Sequence, residues 1–140
     1  MATFNKVNSF VLALAEKKHN LSSDVLKVAL TDTAPTASST FWSTGNFGPP
    51  ATANGYTAGG NTLTITTSSQ TSGTYKLVLG DTTFTSSGTI GPFRYVILYN
   101  DTSDTDLMIG YYDYGSSISL ASGETFTVDF NDSTGVLTIA

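Results

Sequence analysis

A chain of 140 residues, 39% of them apolar, supports a single domain with a real core, and a domain of this size buries roughly 70% of the surface its unfolded form exposes. Six Lys plus Arg against eleven Asp plus Glu leave a net charge of −5. That is too few cations to neutralise a run of phosphates, so nucleic acid is excluded as the main partner. With no Cys, the fold uses neither disulfides nor thiolate-held zinc, and no apolar stretch reaches the length of a membrane span.

The spacing of Phe4, Val7, Phe10, Val11 and Leu14 predicts an amphipathic helix over residues 4–19, whose apolar stripe either packs on the sheet of its own subunit or reaches a neighbour. Thr3 is placed to cap its start, and Asn20 to take the left-handed position beyond its end. Lys17, Lys18 and His19 close the helix, where positive charge meets the negative end of the macrodipole. The run Phe10–Ala15 is not read as a secretory signal, because charge follows it instead of leading it.

Residues 25–31 read as the first strand, with Leu26, Val28 and Leu30 alternating against Lys27 and Ala29. Periodicity then dissolves over residues 32–61, a stretch punctuated by Pro35, Gly45, Gly48, Pro49, Pro50, Gly55, Gly59 and Gly60. So long an irregular segment in a small domain is usually functional or mobile. Beyond it, short alternating runs fill residues 62–139, with strands at 62–67, 74–79, 93–99, 107–114, 117–120, 125–130 and 136–139. Turn signals at Gly73, Gly80-Asp81, Gly88, Gly91-Pro92, Asn100-Asp101, Gly115, Gly123 and Gly135 separate these runs. Nearly three residues in ten are Ser or Thr and only 12% are charged, so the strands carry a hydroxyl-covered surface. The expected fold is mainly β: a single-domain antiparallel β-sandwich with one N-terminal amphipathic α-helix.

Catalytic and metal patterns are sparse. The one histidine, His19, has neither a Gly-x-Ser-x-Gly elbow nor a phosphate-cradling Gly-x-x-x-x-Gly-Lys loop to accompany it. Glu16 falls on the helix and Glu124 in a turn. Asp101, Asp104 and Asp106 alternate as hard-cation ligands can, but the EF-hand glycine and bidentate glutamate are missing, so a solvated acidic loop is expected. No catalytic residue, metal or cofactor is assigned. The candidate site is instead aromatic. Phe41, Trp42 and Phe47 lie in the irregular segment, outside any alternating pattern, and are either a satellite core or anchors for a protein partner.

Several stretches carry a resemblance when taken in order. They are Phe4-Asn-Lys-Val-Asn-Ser-Phe10, Leu26-Lys-Val-Ala-Leu-Thr-Asp-Thr-Ala-Pro35, Asn54-Gly-Tyr-Thr-Ala-Gly-Gly60 and Gly91-Pro-Phe-Arg-Tyr-Val-Ile-Leu-Tyr-Asn-Asp101. Ile109-Gly-Tyr-Tyr-Asp-Tyr-Gly115, Gly123-Glu-Thr-Phe-Thr-Val-Asp-Phe130 and Gly135-Val-Leu-Thr-Ile139 follow. The order resembles a family of small virion structural proteins of tailed bacteriophages, with residues 36–52 outside the likeness. The resemblance implies a non-enzymatic protein of the virion, assembled in the host cytoplasm. Its partners would be other virion subunits, the major capsid protein first among them, met as symmetric copies and with neither nucleic acid nor membrane involved. A capsid decoration or cement role is the leading expectation, and a tail, neck or fibre-associated component stands second. A carbohydrate-binding β-sandwich is the alternative from another class. Against it, the tyrosines alternate along strands as core residues do.

Overall fold

The computed structural model describes residues 2–140, and its architecture is mainly antiparallel β. The strand Leu26–Thr31 (β2) is central. Val28, Ala29 and Leu30 are all fully buried, as a strand covered on both faces requires. β2 pairs antiparallel with Ile90–Asn100 (β7), Leu26 opposite Asn100 and Thr31 opposite Tyr95. β7 in turn pairs with Leu107–Leu120 (β8), a strand of 14 residues. Phe4–Lys6 (β1) and Asn61–Thr62 (β3) complete a five-stranded sheet in the order β1-β8-β7-β2-β3.

Two smaller sheets face the same core. Ile65–Thr71 (β4), Thr74–Leu79 (β5) and Leu137–Ile139 (β10) form one, ordered β10-β5-β4. Thr82–Thr85 (β6) and Thr125–Val128 (β9) form the other. Leu77, Leu79 and Phe84 from these sheets join Leu26, Leu30, Phe93 and Ile97 in one continuous apolar cluster. Each such side chain contributes about 1.5–3 kcal/mol when fully withdrawn from water.

The N-terminal helix is shorter than the spacing predicts. Residues 4–6 are strand β1, antiparallel to β8 with Phe4 opposite Tyr112, and the helix α1 spans only Ser9–Ala15. Phe4 and Val7 satisfy a helical stripe, but Phe4 gains more on the sheet. Its ring lies 5.3 Å from that of Tyr112 and covers Gly110, where a Cβ would come within 2.4 Å of Phe4 Cζ. Only glycine at 110 lets that ring lie flat on β8. Asn8 holds the N-cap position without a side-chain bond, so Thr3 has no capping role. The helix ends at Lys17, whose φ of +65° takes the left-handed place expected for Asn20. Lys18 N–H then donates to Ala13 O at 2.8 Å, closing the last turn. Val11, predicted to point inward, is 54% exposed, and Leu12 beside it is 61% exposed.

Three other boundaries move. β6 falls between the turn signals at Gly80-Asp81 and Gly88, in a stretch given no strand, where a single apolar residue, Phe84, is too little to display alternation. Gly115 does not break β8, and the two strands predicted over 107–120 are one continuous strand with register shifts against β7. The predicted strand at 62–67 divides into β3 and the start of β4.

Candidate partner-contact site

Residues 32–60 remain largely irregular, yet they are sewn onto the sheet along their length. Thr31 Oγ1 donates to Phe47 O, and Tyr99 Oη donates to Gly59 O at 2.6 Å. Tyr56 Oη accepts from Leu30 N–H at 2.9 Å, capping the β2 edge beyond the reach of β3. Burial pushes that phenol up to about 12, so it stays protonated at any ordinary pH. At Gly60 (φ +78°) the backbone crosses β2 so closely that a Cβ would lie 1.7 Å from Val28 O. A compact monomer of 14.7 kDa exposes about 6,900 Å², and this chain exposes 6997 Å². Among the described residues no arm leaves the domain.

The three aromatics part company here. Trp42 is 4% and Phe47 6% exposed, so both belong to the core. Their rings stack at 5.7 Å and 8°, and Trp42 also stacks on Tyr99 at 5.6 Å and 22°. The one-turn helix Thr44–Phe47 (α2) sets this geometry. Ser43 Oγ accepts from Asn46 N–H at 3.1 Å to start it, and Gly48 ends it at φ +48°. As candidate partner contacts Trp42 and Phe47 are therefore withdrawn, because neither presents its ring to a neighbour. Only Phe41, 41% exposed and bridged to Leu107, keeps a surface.

The surface feature that the sequence pattern concealed is on α1. Val11 and Leu12 follow each other on its outer side, both exposed, with no element of the described residues over them. Asn8 N–H donates to Ala37 O at 2.8 Å, and Ser9 Oγ donates to Ser39 O at 3.5 Å. The helix start and the segment carrying Phe41 are thus joined. Of this pair only Val11 belonged to the stripe read from spacing, and its exposure departs from that stripe; Leu12 lay outside it.

No family model, curated protein or solved structure matches this chain. The site chemistry therefore rests on geometry alone.

His19 is buried at the end of α1 as part of a polar hub. Asn100 Oδ1 accepts from the N–H groups of Thr102 (2.9 Å) and Ser103 (3.3 Å), which turns its amide nitrogen toward His19 Nδ1 (3.0 Å) and Asp24 Oδ2 (2.6 Å). Nδ1 must accept, so the neutral ring carries its proton on Nε2, which has no partner among the described residues. Burial holds His19 below its ordinary pKa, with Asp24 opposing in part. No serine hydroxyl bonds to the ring among the described residues, and Ser103 Oγ is spent on Asn100 O at 2.7 Å. The hub fastens the acidic loop to the sheet. Lys27 on β2 pairs with Asp101 of that loop at 3.3 Å, while burial, then the Asp101 charge, raises Asp106. Among the described residues no three His, Cys, Asp or Glu side chains converge as metal ligands.

Proposed function

We propose that this protein is a non-enzymatic structural subunit of a tailed-bacteriophage particle, a decoration or cement protein that docks on the capsid lattice through the outer side of α1. The observation that carries this reading is the uncovered pair Val11 and Leu12, 54% and 61% exposed, with Phe41, 41% exposed, on the segment that hydrogen-bonds to the start of the same helix. Large apolar groups left bare on adjoining elements lower their free energy by meeting a partner. A symmetric lattice repeats one modest contact many times, so a small patch suffices where a lone complex would need a larger one.

The test is occupancy. Val11→Gln with Leu12→Gln keeps helix propensity and removes the apolar pair. Particles assembled with this variant should carry far fewer copies, while the isolated variant melts within about 2 °C of the parent, since exposed substitutions rarely cost stability. Unchanged occupancy would reject α1 as the docking surface. Copy number per particle separates the two structural placements. Hundreds of copies fit the head lattice, and a few dozen or fewer fit a tail, neck or fibre position.

A further inference from the structure

The tyrosines of β8 are not the core residues that their alternation implied. Tyr111 and Tyr112 are half-buried, and Tyr114 is 53% exposed. Tyr114 borders a cleft of about 270 Å³ between β8 and β9, with Val96 and Val128 among its apolar lining and Tyr112, Phe126 and Asp129 also on its walls. Phe126 is packed between two aromatic neighbours in this wall. Its ring meets Phe93 edge to face at 5.0 Å and Tyr114 at 5.6 Å.

We propose that this cleft binds one neutral pyranose ring of a polysaccharide. Sugars are recognised by an aromatic surface against their C–H face and by a few fixed polar groups against their hydroxyls. Both are present. Tyr114 offers an uncovered ring, whereas Tyr112 Oη and the Asp129 carboxylate make no side-chain hydrogen bond or ion pair within the described residues. A carboxylate accepts from two adjacent hydroxyls at once, and a phenol both donates and accepts. Burial pushes Tyr112 up to about 12, so it remains a donor. The lining holds one acid and no Lys, Arg or His, which disfavours uronic acids, sialic acids and phosphates. The volume suits a single ring. The Tyr114–Phe126 contact joins the two walls, so an extended peptide strand has no passage between them.

The experiment uses the whole chain, isotopically labelled, titrated with the methyl glycosides of glucose, galactose, mannose, rhamnose, N-acetylglucosamine and N-acetylgalactosamine. At least one should shift the Tyr112, Tyr114 and Phe126 signals saturably. Tyr114→Ala should weaken that binding about tenfold or more and Asp129→Asn severalfold, with the Asp129→Asn melting temperature unchanged and that of Tyr114→Ala lowered by only a few degrees for its lost edge contact with Phe126. The proposal is overturned if none of the six perturbs these signals, or if Tyr114→Ala leaves affinity intact. Equal binding of methyl glucuronide would also overturn it. So would concentration-dependent shifts of the same signals without sugar, which would assign the cleft to a second copy of the chain. The capsid-docking reading is untouched by any of these outcomes, since α1 is not involved.

Discussion

Replacing Trp42 by Ala separates a core aromatic from a partner anchor. The indole is almost fully buried, stacked between Phe47 and Tyr99 at 5.7 and 5.6 Å. Its neighbours cannot close the gap easily. Tyr99 is fixed through its hydroxyl to Gly59 O, and Phe47 is fixed by α2 and by the Thr31 hydroxyl on its carbonyl. A Trp→Ala truncation in such a setting costs about 3–5 kcal/mol. A domain of this size loses roughly 3 °C of melting temperature per kcal/mol, so the variant should melt on the order of 10 °C lower. Thermal and urea unfolding followed by circular dichroism measure this directly, since the substitution removes the only tryptophan. In the parent that tryptophan should emit as a buried indole and shift to the red on unfolding. A Trp42→Ala chain that melts within about 2 °C of the parent, yet fails to bind particles, would refute the core assignment.

Tyr56→Phe should cost about 1–3 kcal/mol by leaving the buried Leu30 N–H without its acceptor, read as a lower urea midpoint at unchanged m-value. For His19 the sign follows from its depressed pKa. The unfolded chain takes up the proton first, so the stability contributed by the neutral ring is complete above the ordinary value of 6.5. It is lost as pH falls through that value toward the lower folded one. Urea midpoints should therefore decline between about pH 7 and pH 5. A His19→Gln variant should lose most of that slope, and an unchanged slope would place the titration elsewhere. Asp113, drawn below the usual carboxylate range by its hydrogen bonds from Arg94 and then from Gly115 N–H, acts only at lower pH.

What could be read from the sequence follows how each residue is buried. β2 and β5 were legible because Leu26, Val28 and Leu30, and Tyr75, Leu77 and Leu79, recur at every second residue, and the inner half of β7 because the unbroken apolar run Tyr95–Tyr99 fits a strand covered on both faces. The helix was overextended because Phe4 and Val7 fit a helical stripe and a strand equally. The choice fell to Gly110, more than a hundred residues away, which no local pattern contains. β6 was missed for want of a second apolar residue, and β8 was divided because a positive-φ glycine, Gly115 at +100°, usually ends a strand. The aromatics of residues 41–47 were located correctly as a feature. Their direction was not legible, because a segment without a period carries no inward or outward sense. Of the stripe on α1, Phe10 and Leu14 face the core and Val11 does not, because Ala13 takes the inward place between them and turns Val11 and Leu12 outward.

The free edge of β4 bears on the proposed assembly. Ile65–Thr71 pairs only with β5, and along its other side seven residues run without a single charge or proline. Proteins that live free in solution guard such edges with lysine, proline or a covering element. Here the protection is a register shift between Ile65 and Thr67 and a row of hydroxyl and amide side chains. The row is too polar to drive aggregation and too neutral to repel a neighbour. A subunit fixed on a lattice needs no stronger guard, since its copies are held apart by the sites they occupy. The same neutrality extends over a chain in which 12% of residues are charged and two ion pairs form among the described residues. Free solubility favours a more strongly charged surface, so the uncharged edge, together with the bare pair on α1, supports a protein whose surface is largely meant to be covered.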